Sequence, residues 1–491
     1  MSIAARLLLA VLVFIPGTFA PGGPLAGQLA DRVDGTAASG DADRVESLVR
    51  ARLEEDLALL RRFRPGYAFW EHVFRVPDGS VVFGSAGDGH LLVTFPVGDD
   101  WNLNGDWAEP GLARALAGHP LPSRLGDRRD RVAELLEPVV GEVVHNPTRG
   151  DFLLPNIERY GGFLEEWGRI YERFGVPAEI GLAQAVVESG LSGDIKSEAR
   201  AIGLCQWLPR NWSRLEGLMP YPIEVENQTT QAAFCAAHLA ILATMYGSFL
   251  PALSHHHAGG ANVGRTIING GRLGAGSVAE RYLVGADLAR DLRALSPRTF
   301  RPVVGTYGPR SYHYTEMVFG NTATVARILE STEQETIHAM RVPRNTSFDE
   351  VIRASGLTKS VVSRFNPALV RRVPRGAAVY LPEPVESLGE DVSFWHRPPS
   401  PSFQAVLADF LELDATLDEW EQPDFEDVLQ AFRDRFRETD TEEGRVMAAL
   451  LGYTIQELPL GRRVLAEFRE SSRVDELFRR GVRLRDDGHG R

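Results

Sequence analysis

The run from Ala178 to Ser189 constrains this chain more than any other stretch. It is mostly apolar, follows Pro177 and ends at Gly190. Proline suits the first turn of a helix, and glycine suits the position just past the last turn. The spacing therefore predicts a helix over 178–189. A mostly apolar helix needs cover from other elements. The preceding stretch supplies some. Ile157, Tyr160, Phe163, Leu164, Trp167, Ile170, Tyr171 and Phe174 follow helical spacing, with Gly175 as a stop. These aromatic residues read as core. From about Pro155 the chain is predicted to be helical.

One polar group stands out in the apolar run. Glu188 lies near the helix C-terminus. Apolar surroundings and the negative end of the helix dipole both disfavour a carboxylate, so its pKa is expected to rise. A carboxyl kept protonated near neutral pH suits general-acid catalysis. By residue type alone, Glu188 reads as a surface glutamate at a helix end.

At 491 residues the chain suggests roughly three or four folding units. Hydrophobic residues are 44%, charged residues 24%, and the net charge is -13. That acidity argues against nucleic acid as a partner, which would require a basic face. At the N-terminus, Arg6 precedes the apolar run Leu7–Ile15, followed by Pro16-Gly17 and Thr18-Phe19-Ala20. The pattern fits an export signal over residues 1–20, with an uncleaved anchor as the alternative. Pro21 disfavours a cut after Ala20, which leaves the region of Ala26 as another place. No Cys follows the run, so no lipoprotein attachment is expected. The only cysteines are Cys205 and Cys235. They are a disulfide or two thiols, and spacing leaves both open.

The expected organisation is α+β and multidomain. Residues 21–40 read as a linker. Residues 41–150 read as a small α+β module of unknown role, opening on a helix over 41–63. In it, Phe69–Val76, Ser80–Ser85 and Leu91–Val97 read as strands of an antiparallel meander. The Trp101–Trp107 stretch reads as a capped loop. Residues 151–335 form the helical centre. Residues 336–382 read as strand, two short helices and strand, with Gly356 and Thr358 as helix punctuation. Pro-rich 383–402 reads as a linker. Residues 403–491 read as an amphipathic helical tail, with a packing role or a protein partner for its helices. Its apolar positions include Phe410, Leu411, Leu417, Trp420, Leu429, Phe436, Val446, Leu450 and Leu465.

Glu188-Ser189, then Gly203-Leu204-Cys205-Gln206, resembles the lytic transglycosylases, most closely the membrane-bound D type that joins its catalytic domain to lysin motifs. The resemblance covers about residues 155–335 and implies a mainly α lysozyme-like domain. It implies that Glu188 is the single acid/base, with Ser189, Gln206, His256, His257 and Tyr314 around the sugar. Cys205 takes the place of a methionine in the family's second motif. His256-His257 fall where the family carries Tyr-Asn, the third motif. Histidine can still hydrogen-bond and stack there, and a pH-sensitive cleft follows. Adjacent His255, His256 and His257 also raise a metal site. Adjacent residues point in different directions, so none is expected, and no cofactor either. No confident second carboxylate is evident; Glu198, Glu216 and Glu224 are candidates. The resemblance further implies a Cys205–Cys235 disulfide pinning the catalytic loop.

Residues 336–382 resemble a lysin motif, through the first strand, Asn366-Pro367 and Val379-Tyr380-Leu381-Pro382. The usual opening Gly-Asp-Thr is Arg344-Asn345-Thr346 here. The implied partner is the glycan strand of peptidoglycan. The implied reaction cleaves the bond between N-acetylmuramic acid and N-acetylglucosamine, giving a 1,6-anhydro product. The implied location is the periplasm or cell envelope. Two rival readings are a hydrolytic muramidase on the same fold and a weakly active or inactive glycan-binding protein.

Overall fold

The computed structural model describes residues 38–306, 311–413, 422 and 424–489. The export signal, and the linker up to residue 37, lie outside the described residues. The described chain is mostly helical (63%), with small antiparallel sheets, as an α+β multidomain protein should be. No helix among the described residues is long and apolar enough to cross a membrane.

Helix α1 (Ala38–Phe63) leads into α2 (Trp70–Arg75). Here the structure corrects the sequence reading: Phe69–Val76 is not a strand. Phe69, Val73 and Phe74 are buried, at i, i+4 and i+5, which is the spacing of one helix face. Strands β1 (Ser80–Ser85), β2 (Leu91–Pro96), β3 (Asp106–Trp107) and β4 (Val143–Pro147) form one antiparallel sheet in the order β3-β2-β1-β4. The β1–β2 hairpin pairs Val81 with Phe95 and Phe83 with Val93. Val81 and Phe83 point to a small core under α3 (Leu125–Val140), while Val82 points to the main helical core. The sheet is thus a wall shared by two cores. Trp101 stacks on Phe95 at 4.8 Å and donates to the Pro96 carbonyl at 2.7 Å, so the Trp101 loop is a packed cap.

The centre begins with α4 (Leu154–Tyr160), α5 (Leu164–Arg173) and α6 (Ala178–Ser189). Then follow α7 (Pro209–Glu216), α8 (Gln228–Tyr246), α9 (Phe249–Ala258) and α10 (Gly260–Arg272). Helices α11 (Val278–Leu295), α12 (Pro297–Val304), α13 (Tyr314–Gly320) and α14 (Thr322–Ser331) complete it. Helix α6 is packed by α5, α13 and α14. That cover is what its apolar faces require.

Helix α9 starts on a buried acid from α1. Asp56 accepts from the Ser248 hydroxyl at 2.5 Å and the Phe249 N–H at 2.7 Å. Burial pushes the Asp56 carboxyl up to about 7, against the pull of those two bonds. A carboxyl harder to ionise in the fold than in the open chain binds its proton more tightly when folded. Stability is therefore present in full below pH about 4 and falls as pH rises to about 7. Asp56→Asn keeps an acceptor for Phe249 and should remove this slope. Urea unfolding at pH 4.5, 6 and 7.5 checks it. Equal slopes in wild type and variant would contradict the assignment.

Residues 336–382 contain β5 (His338–Arg341), β6 (Thr346–Ser347), α15 (Phe348–Ser355), α16 (Lys359–Phe365), β7 (Arg372–Val373) and β8 (Ala378–Leu381). Strands β5 and β8 are antiparallel, with His338 opposite Leu381. Ser347 and Thr358 cap the two helices, and Gly356 ends the first in the left-handed region. The module docks on the centre. Tyr380 meets Thr230 at 2.5 Å, Asn227 donates to the Phe365 carbonyl at 2.8 Å, and Phe365 packs on Phe163 at 4.7 Å.

Residues 383–402 are not a free linker. They carry β9 (Glu390–Asp391), which adds to β5, and they bury Leu388 and Trp395. Trp395 donates to the buried Glu166 at 2.8 Å, and His396 reaches the same oxygen. A buried carboxylate needs such partners, and prolines on both sides do not prevent them.

Helices α17 (Pro401–Leu411), α18 (Phe425–Glu438), α19 (Glu442–Glu470) and α20 (Ser472–His489) close the chain. They do not form a detached tail. Helix α17 packs on α1, α19 on α8 and α10, and α20 on α11 and α12. Phe410, Leu411, Leu429, Phe436, Val446, Leu450 and Leu465 are buried in the common core. The chain itself therefore packs these apolar faces, the first of the two roles read for them. Leu417 and Trp420 lie outside the described residues.

Candidate active site

The site forms where α6 ends. Gly190 adopts φ +55°, and its N–H closes on the Val186 carbonyl at 3.0 Å. A Cβ there would sit 2.1 Å from the Phe152 carbonyl oxygen, so only glycine fits. The stop leaves Glu188 in the last turn, with its side chain 12% exposed. Ser189, one residue on, is fully buried and returns its hydroxyl to the Ala185 carbonyl at 3.0 Å. It holds the helix end, with its side chain closed off from solvent.

Three groups from two other helices converge on Glu188 Oε1. Tyr314, the first residue of α13, donates its hydroxyl at 2.6 Å. His256 Nε2 lies at 3.9 Å and His257 Nδ1 at 3.7 Å, both from the end of α9. The His257 ring stacks on Tyr314, with centroids 4.2 Å apart and planes 11° from parallel. His255 points elsewhere and meets the Tyr246 hydroxyl at 3.0 Å. Tyr314 is buried and receives Gln184 Nε2 at 3.4 Å. It positions the carboxyl rather than lining open space. His257 is 30% exposed.

The electrostatics differ from the sequence expectation. Burial is the largest influence on Glu188 and pushes its pKa up. The hydrogen bond and charge of His257, the charge of His256, and the Tyr314 hydroxyl together outweigh burial. The result lies below the ordinary glutamate value. The sequence could not include this, because the imidazoles arrive from a distant helix. The lowering depends on imidazolium charge, and burial holds His256 below its own ordinary value. Tyr314 is pushed well above its ordinary value by burial and by Glu188, so it remains a hydroxyl donor.

The second wall is the loop Gly203–Gln206. Gln231 on α8 is its anchor, unnoticed in the sequence. Its Oε1 accepts from Leu204 N at 2.8 Å, and its Nε2 donates to the Gly193 and Val225 carbonyls at 2.8 and 2.6 Å. Gly203 has φ +65°, and a Cβ there would lie 2.1 Å from the Gln231 amide. Gln206 folds its own amide back to the Gly203 carbonyl at 3.1 Å and stays partly exposed. Cys205 and Cys235 form a disulfide, with Cα atoms 5.6 Å apart. Breaking a closed loop with 30 residues of separation should cost on the order of 3 kcal/mol by chain entropy. Replacing both cysteines by serine should lower the melting temperature by several degrees. A calorimetric scan with no shift would contradict a structural role for the bond.

Trp207 continues this wall, with His238 at 4.9 Å and Tyr453 of α19 stacked at 6.2 Å. The candidate second carboxylates are not brought to Glu188. Glu198 is exposed in its loop. Glu216 and Glu224 line a cavity of about 300 Å³ with Asn366 and Arg372, and Glu188 is not among its lining residues. Among the described residues, no group of three or more His, Cys, Asp or Glu side chains is placed to hold a metal ion.

Gln184 was findable: it stands four residues before Glu188, on the same helix face. Gln231 left a weaker sign, an amide directly before the apolar run Ala232–Ala237. Comparison of the sequence with protein-family models finds no match, and comparison with curated proteins finds no significantly similar chain.

Proposed function

We propose that this protein is an exported peptidoglycan lytic transglycosylase. In this reading residues 151–335 are a lysozyme-like catalytic domain, and residues 336–382 are a lysin-motif-like module that grips the glycan. The observation that carries the reading is the setting of Glu188. A single carboxyl stands at the end of a buried helix, held at 2.6 Å by a buried tyrosine and faced by a loop pinned through Gln231 and a disulfide. Preorganised groups of this kind suit one-residue acid/base chemistry.

In the proposed reaction, protonated Glu188 gives its proton to the oxygen linking N-acetylmuramic acid to N-acetylglucosamine. The bond from the anomeric carbon to that oxygen breaks. The muramoyl 6-hydroxyl oxygen attacks the same carbon and loses its proton to the Glu188 carboxylate, which is thereby restored as the acid. The product is a 1,6-anhydro sugar, and no water is consumed. Ordinary hydrolysis employs two carboxylates flanking the bond. No second carboxylate contacts Glu188 among the described residues. The export signal pattern and the disulfide together support a cell-envelope location.

One observation favours a second reading, a glycan-binding protein with little activity. The two imidazoles beside Glu188 favour its charged form, which cannot donate a proton. Incubation with purified peptidoglycan separates the two. Release of soluble fragments supports the enzyme. Co-sedimentation with sacculi without release supports the binder.

A further inference from the structure

The imidazole of His257 has no use in a reaction carried by one carboxyl alone, yet it is more exposed than Glu188, His256 or Tyr314. We propose that Glu188 and His257 act as a pair, with Glu188 as the acid and neutral His257 as the base for the 6-hydroxyl. The inference rests on the lytic transglycosylase reading and deepens it.

Glu188 Oε1 and His257 Nδ1 are 3.7 Å apart. At that separation one group can address the leaving oxygen while the other addresses the 6-hydroxyl of the same sugar. The Tyr314 ring, stacked under the imidazole at 4.2 Å, fixes its plane, and the Tyr314 hydroxyl fixes the carboxyl. One tyrosine therefore orients both partners. The other titratable groups around the pair are His255 and His256 on the helix of His257, His238 from α8, whose ring lies 5.7 Å from that of His256, and Asp56 at the far end of α9.

The steps balance. Glu188 passes its proton to the leaving oxygen and becomes a carboxylate. His257 takes the proton of the 6-hydroxyl as that oxygen bonds to the anomeric carbon. The imidazolium then returns the proton to Glu188. The pair holds one proton before and after the cycle, and the form that reacts is the one in which Glu188 carries it, although the imidazoles favour the carboxylate. A second proton on the pair blocks the base, and loss of the shared proton removes the acid. The pH–rate profile of wild type is therefore a bell.

His257→Asn and His257→Gln test this. Both changes fall at a partly exposed helix end, and thermal unfolding checks that each variant folds. Anhydro-muropeptide release is followed from pH 4 to 9 on purified peptidoglycan. The expected result is loss of the acid limb in both variants, with kcat reduced about a hundredfold. An unchanged bell with a small fall in rate would overturn the pair and leave Glu188 as sole acid/base. No anhydro product from wild type would instead overturn the underlying reading, and the pair with it.

Discussion

Glu188→Gln will abolish the release of soluble fragments from peptidoglycan, by about a thousandfold or more in kcat, while leaving the fold intact. The substitution is nearly isosteric. The amide oxygen can still accept from Tyr314, whose hydroxyl lies 2.6 Å from the present carboxylate. What the amide cannot do is give a proton to a glycosidic oxygen. On the proposed reading, binding to sacculi should persist, because the substitution does not touch the module at 336–382. The readout is muropeptide release at saturating substrate, with circular dichroism as the control for folding. Cleavage at the wild-type rate would remove Glu188 from the chemistry.

The second large effect is expected at Gln231. Gln231→Leu keeps the size of the side chain and removes its three hydrogen bonds to Leu204, Gly193 and Val225. Buried groups left unpaired cost about 1–3 kcal/mol each, and a shared network makes the loss larger than one bond. A stability loss of about 2–4 kcal/mol is expected by urea unfolding. The loop opposite Glu188 would lose its non-covalent anchor, so activity should fall further than stability explains. The disulfide at Cys205 would still tether the loop, which keeps the variant measurable. A Gln231→Leu protein with wild-type stability and activity would show that the loop needs no such anchor.

Much of the scaffold was legible from residue pattern. The bounds of α6 followed from Pro177, Gly190 and the apolar run between them, and the caps at Thr358 and Gly356 followed from residue type. The β1–β2 hairpin followed from its alternation and turn residues. Local pattern failed where the third dimension decided. Phe69–Val76 is rich in strand-favouring residues, yet tertiary burial selected a helix. The prolines of 383–402 suggested a linker, but Glu166 needed partners and found them in Trp395 and His396.

The site divides in the same way. Glu188, His256, His257 and Tyr314 were each named from the sequence, and the structure brings all four together. Their mutual effect was not legible. The expected rise in the Glu188 pKa considered only its own helix, and the imidazoles that reverse it belong to α9. Asp56 and Gln231 act across long stretches of chain, and no local spacing marks such a contact.

The central claim is that the glycosidic bond is cleaved without water, by a site built on Glu188. Mass analysis of soluble fragments released from purified peptidoglycan by wild-type protein tests it most directly. The expected products are muropeptides ending in 1,6-anhydro-N-acetylmuramic acid, one water lighter than their hydrolysed counterparts. Fragments carrying only ordinary reducing ends, or no fragments at all, would contradict it.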